Sequence, residues 1–136
     1  MSQLLQRLRD AKRSGVYRAG SARPIEEATR ASGLDVVAID AQAGELFPSI
    51  ARALQFPSWF GANWDALEDC LGDLSWRPGE GHVLLFQRPP AGEALNRLID
   101  VLRSSAQYWA SRGKPFFAVF IDPQKKLELP DLYRGA

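Results

Sequence analysis

Two near-continuous apolar runs, His82-Val83-Leu84-Leu85-Phe86 and Phe116-Phe117-Ala118-Val119-Phe120-Ile121, restrict the fold of this chain more than any other feature. A strand that is apolar at every position has both faces covered, which is the habit of parallel sheets. The segment between the runs reads as one long helix, Ala91 to Arg112. Leu95, Leu98, Ile99, Leu102 and Ala106 fall at core spacing, and Gly113 is the stop. Strands separated by helices imply a parallel sheet with crossover connections.

The same reading extends upstream. Leu34-Asp35-Val36-Val37-Ala38-Ile39 is a strand rich in β-branched residues. Glu45 to Leu54 reads as a helix closed by Pro57, and Asn63 to Leu74 as another. The expected fold is α/β, a small three-stranded parallel sheet packed by helices, over residues 34–123. Residues 1–33 form an N-terminal α/β extension packed on this main domain. Within it, Leu4, Leu5 and Leu8 mark a short amphipathic helix ending near Gly15. Val16-Tyr17-Arg18 has the look of a short strand, and Ser21 to Arg30 of a second helix with Pro24 early and Gly33 beyond its end. Residues 124–136, with Lys125, Lys126 and Pro130, read as a peripheral tail. There is no internal repeat and no low-complexity tract.

Composition excludes several classes. The chain has 136 residues, 46% of them hydrophobic, so it suits one domain with a true core and is neither disordered nor fibrous. A formal charge of +1 argues against a dedicated nucleic-acid binder. The single cysteine, Cys70, permits no internal disulfide. The N-terminus is charged every few residues, unlike a secretion signal, and no apolar run approaches the roughly 20 residues that span a membrane. A basic amphipathic helix near the start could rest on a membrane surface, but its apolar face is small. The expectation is a cytoplasmic protein with no membrane partner. No Gly-rich fingerprint follows a strand, so a nucleotide cofactor is not supported.

Charge is unevenly placed. Residues 1–34 carry seven Lys/Arg against three Asp/Glu. Between Arg52 and Arg77, by contrast, there are four acids, Asp65, Glu68, Asp69 and Asp73, and no Lys or Arg. On a helix advancing about 100° per residue from Trp64, the residues Leu67, Cys70, Leu71 and Leu74 fall between about 240° and 340°. The acids and Gly72 fall between about 40° and 180°. One face anchors the helix and the other presents carboxylates. Asn63 is placed to cap the helix, and Asp65 sits where the macrodipole favours a negative charge. Asp69 and Asp73 are like charges at i, i+4, which costs a few tenths of a kcal/mol. Trp59 and Phe60 precede the helix, one expected in the core and one exposed. Aromatics beside charges are the composition of interface hot spots, and small Ala62, Ala66 and Gly72 would let a partner approach closely. A carboxylate row also imitates nucleic-acid phosphates, and its natural target is a cleft rich in Arg, Lys and His.

The contiguous stretch Trp59-Phe60-Gly61-x-Asn63-x-Asp65-Ala66-Leu67-x-Asp69-Cys70-Leu71 resembles the inhibitor helix and preceding loop of the barstar family of intracellular ribonuclease inhibitors, with weaker similarity over about residues 34–122. The resemblance implies a three-stranded parallel sheet and an immunity protein that is not an enzyme. Such a protein binds no cofactor or metal and is a monomer until it meets its ribonuclease. It implies that Asp69 takes the place of a substrate phosphate, that Asp65 and Asn63 contact the enzyme, and that Trp59 packs on the cleft. Glu68, Gly72 and Asp73 complete the expected partner-binding set. The chain departs from the family at Glu68 (an aromatic there), Gly72 (a hydroxyl residue), Leu74 (Trp) and Tyr108 (Glu), and its first 33 residues have no counterpart.

Two other readings compete. An enzyme could use Asp65 and Asp69 as a metal or acid–base pair, since carboxylates at i, i+4 can share a hard cation, but no His lies near them in sequence. His82 opens a strand and Cys70 lies on the apolar stripe, so both read as structural. Trp76 is expected to close the helix, and Trp109 to belong to the core. Alternatively, the chain is a non-inhibitory binding module that offers the same acidic face to a different basic partner. In a variant of this reading, the basic N-terminal segment folds back over that face.

Overall fold

The computed structural model describes residues 2–42 and 45–133. Its sheet has four strands in the order β1-β4-β3-β2: β1 (Gly15–Ala19), β2 (Asp35–Ile39), β3 (His82–Phe86) and β4 (Phe116–Ile121). Every neighbouring pair is parallel. β3 and β4, the two apolar runs, lie at the centre, and their side chains are buried in alternation on both faces.

The expected three-stranded sheet is thus one strand short. Val16-Tyr17-Arg18 lies within β1, which pairs along the outer edge of β4 from Gly15↔Phe117 to Ala19↔Ile121. The N-terminal segment completes the sheet as well as packing on it. The tail is not peripheral either. Arg18 N–H donates to Pro130 and Leu132 N–H donates to Arg18, with Leu129 and Leu132 buried. Arg18 also pairs with Asp131 at 2.8 Å and donates to the Leu127 carbonyl. Residues 130–132 therefore cover the open edge of β1, whose unpaired backbone groups would otherwise invite another strand. Residues 134–136 of the tail lie outside the described residues.

Helices cover both faces. On one, α1 (Gln3–Leu8) and α2 (Arg23–Thr29) bury Leu8 and Ile25 against Val83, Leu85, Phe117 and Val119. On the other, α3 (Leu46–Leu54), α4 (Trp64–Asp73) and α5 (Gly92–Ser111) bury Ile50, Leu54, Leu67, Leu71, Leu98 and Leu102 against Val37, Leu84, Phe86, Phe116 and Phe120. Gly113 stops α5 in the left-handed region at φ 77, where glycine has no Cβ to clash. The helices of the basic N-terminal segment and the acidic α4 thus occupy opposite faces of the sheet, and the N-terminal segment does not cover the acidic face.

Candidate functional site

The site begins where α3 ends. Gln55 turns left-handed at φ 56, and Phe56 N–H closes the helix on Ala51. A turn closed by Phe60 N–H on Pro57 follows. Phe60 packs edge-on against Phe56, with centroids 4.9 Å apart, and Trp64 packs similarly on Phe47, also at 4.9 Å. Edge-to-face pairs of this kind add to the area they bury. They anchor the loop from inside and leave Trp59 outside, 61% exposed.

α4 starts at Asn63, whose Oδ1 accepts the Ala66 N–H at 2.8 Å. Leu67, Cys70, Leu71 and Leu74 are buried, and Asp65, Glu68, Asp69 and Asp73 are exposed. Fully burying Leu67 and Leu71 is worth about 2 kcal/mol each, enough to fix the apolar face. Burial, followed by the nearby Asp69 and Asp73 charges, raises the Cys70 thiol above its usual range and so disfavours the nucleophilic thiolate.

Among the described residues, none of the four acids on α4 has an ion pair. Five carboxylates elsewhere do: Asp10 with Arg13, Glu27 with Arg23, Asp35 with Arg77, Asp40 with Arg88, and Asp131 with Arg18; the α4 row differs from the other unpaired acids in having four of them together on one helix face. The sole internal bond shown for the row is from Ser75 N–H to Asp73 Oδ1, at 3.2 Å. The distant arginine that would neutralise the row is not seen among the described residues. Arg97 lies over the Trp64 ring at 5.3 Å and pairs with none of the acids.

A groove of about 480 Å³ runs between α4 and α5. Glu68, Asp69, Gly72 and Asp73 form one side, and Ser104, Ser105 and Tyr108 the other. A Cβ at Gly72 would meet nothing within 4 Å, so this glycine keeps the groove open. Tyr108 is 40% exposed, and its ring carries the Arg112 guanidinium at 4.6 Å. Ser104 and Ser105 give no signal in the sequence that would single them out, because only the packing of α5 brings them beside α4. No group of three or more His, Cys, Asp or Glu among the described residues is placed to hold a metal ion. No helix among them is long and apolar enough to cross a membrane.

Behind the site lies a polar network that the sequence does not reveal. Asp35 accepts both Nε–H and a terminal N–H of Arg77, at 2.8 and 2.9 Å, and meets His82 Nδ1 at 2.9 Å. An ionised Asp35 has only acceptors, so the shared hydrogen sits on Nδ1. Burial alone would raise the Asp35 carboxyl, but the bonds from Arg77 and His82 outweigh it and hold the group below its ordinary 3.8. Burial pushes His82 below its ordinary 6.5, against the opposing pull of Asp35.

The family model for barstar, the barnase inhibitor, matches residues 34–121. The chain belongs to the barstar family. The match contains β2 to β4 and α3 to α5, and with them the loop, α4 and the facing side of the groove. Neither the comparison with curated proteins nor that with solved structures gives a match. For this barstar-family chain, the fourth strand β1 and the helices α1 and α2 lie outside the matched residues.

Proposed function

We propose that this protein inhibits a ribonuclease by seating the exposed face of α4 and the preceding loop in the enzyme's active-site cleft. The observation that carries the reading is the acidic row: four exposed carboxylates without an ion pair among the described residues, in a chain of the barstar family. Asp69 lies mid-row and is the anchor among the enzyme's cationic groups. Asp65 and Asp73 flank it one turn away on either side, and Glu68 extends the charge toward the groove. Trp59 supplies apolar contact. Gly72 leaves room for the partner, and Asn63 holds the helix start. The family name supports a ribonuclease as partner and inhibition, not catalysis, as the role. In this reading the protein works in the cytoplasm and is monomeric until it binds.

The test uses a panel of purified small ribonucleases, barnase included. Wild-type protein is expected to inhibit at least one of them. The Asp65→Ala/Asp69→Ala double variant is expected to lose that inhibition. Association should also slow as salt is added, because charges of opposite sign steer the encounter. Binding without inhibition would instead favour a non-inhibitory module that uses the same acidic face, and a rate indifferent to salt would point to an apolar binding module.

A further inference from the structure

We propose that Trp109 is a positioning residue for the acidic face, setting the register of α4 against α5 through its indole N–H and so fixing where Asp69 and Asp73 stand beside the groove. The proposal rests on the inhibitor reading of that face.

The last turn of α4 is weak by its own chemistry. It contains Gly72, a poor helix former, and ends in Asp73, where the macrodipole disfavours a negative charge. It has no basic residue to offset this. The chain then leaves the helix at Leu74, which is left-handed at φ 50. The Leu71 carbonyl loses its helical donor there, because Ser75 N–H turns to the Asp73 carboxylate instead. Trp109 Nε1 donates to this orphan carbonyl at 2.7 Å.

Apolar contacts hold α4 on α5, but such contacts are non-directional and tolerate small rotations. Two directional contacts remove that freedom. Arg97 on Trp64 pins the start of α4, and the Trp109–Leu71 bond pins its end. The indole packs among other side chains, its centroid 5.6 Å from that of His82 and 5.4 Å from that of Tyr108, with Lys114 over the ring at 5.6 Å. Tyr108, the neighbouring residue on α5, lines the groove. One turn of α5 thus provides both a wall of the groove and the lock on the helix opposite.

Two variants separate this role from simple packing. Trp109→Phe removes the donor along with some ring volume. Replacement of Trp109 by 3-benzothienylalanine removes the N–H and keeps the bicyclic shape. In the free protein, amide exchange at Leu74, whose N–H bonds to Cys70, should quicken about five- to tenfold, as loss of one net hydrogen bond implies. Against the ribonuclease that wild type inhibits best, dissociation should quicken by a similar factor, with association unchanged because no charge has moved. Unaltered exchange overturns the proposal. So does an unaltered dissociation rate when Asp69→Ala, run alongside, accelerates it; Trp109 is then core and nothing more, even if thermal stability falls. If Asp69→Ala is also silent, or no ribonuclease is bound, the inhibitor reading fails first and the positioning role fails with it.

Discussion

Two sets of carboxylates in this molecule are treated in opposite ways. Asp35, at the start of β2, is largely buried, bound by two nitrogens of Arg77 and shared with His82. Asp65, Asp69 and Asp73, spaced one turn apart on α4, face outward with no ion pair among the described residues. The chain does pair some acids with arginine, among them Asp35, Asp40 and Asp131. Leaving the α4 row uncompensated costs a little folding stability, and in the proposed function it keeps charge available for the partner. The buried network serves the fold; on the proposed inhibitor reading, the exposed row serves recognition.

That division can be broken most forcefully at Arg77. Arg77→Ala leaves Asp35 largely buried with only His82 beside it. It should lower the unfolding free energy in urea by about 3 kcal/mol, with ribonuclease affinity per folded molecule nearly unchanged. Acid should weaken the same network reversibly. His82 in the folded protein titrates below its ordinary 6.5, so below that pH the unfolded chain binds the proton more readily. Stability is therefore fully present above about 6.5 and falls as pH drops toward the folded value. Asp35, held below 3.8, adds a second loss below about that pH. Urea titrations from pH 7 to 3 should show both falls, and His82→Leu should abolish the first.

Asp69→Ala should invert the pattern seen at Arg77. Affinity for the ribonuclease should fall by at least about 2 kcal/mol, chiefly through faster dissociation. A surface-plasmon measurement showing unchanged dissociation would erase the distinction between the two sets. Asn63→Ala bridges them, because Asn63 belongs to the proposed site yet caps the helix. Loss of its bond to Ala66 should cost about 1 kcal/mol of stability by thermal unfolding. The smallest effect is on the stability of Asp69→Ala itself. Removing the middle of three like charges at i, i+4 spacing should raise stability by a few tenths of a kcal/mol, where a buried ion-pair partner would have produced a fall.

Much of this was legible in local pattern. The apolar runs became β3 and β4, the helix read from Ala91 to Arg112 became α5 at Gly92–Ser111, and the stripe of Leu67, Cys70 and Leu71 is buried as the helical angles require. Asn63 caps α4 as its type and place suggest. Of the aromatic pair, Trp59 is exposed and Phe60 is tucked onto Phe56. The misses share one cause. β1 pairs with a strand about a hundred residues away, residues 130–132 return to cover its edge, and Arg77 reaches back to Asp35. The indoles of Trp76 and Trp109 satisfy carbonyls at the ends of α3 and α4, those of Leu54 and Leu71. None of these partners is near the other in sequence.

Although the first helix, expected to end near Gly15, stops at Leu8, the sequence by itself determined the order of helices and strands, the buried stripes of α4 and α5, and the presence of an acidic row with nothing basic beside it. Those properties follow from periodicity and from neighbours three or four residues apart. Tertiary structure alone decided that the sheet has four strands, that the N-terminal helices lie across it from the acidic one, and that Ser104, Ser105 and Tyr108 face α4 across a groove. A residue's own pattern says which side turns inward. What it meets there depends on chain closure over long distances, which no local pattern encodes.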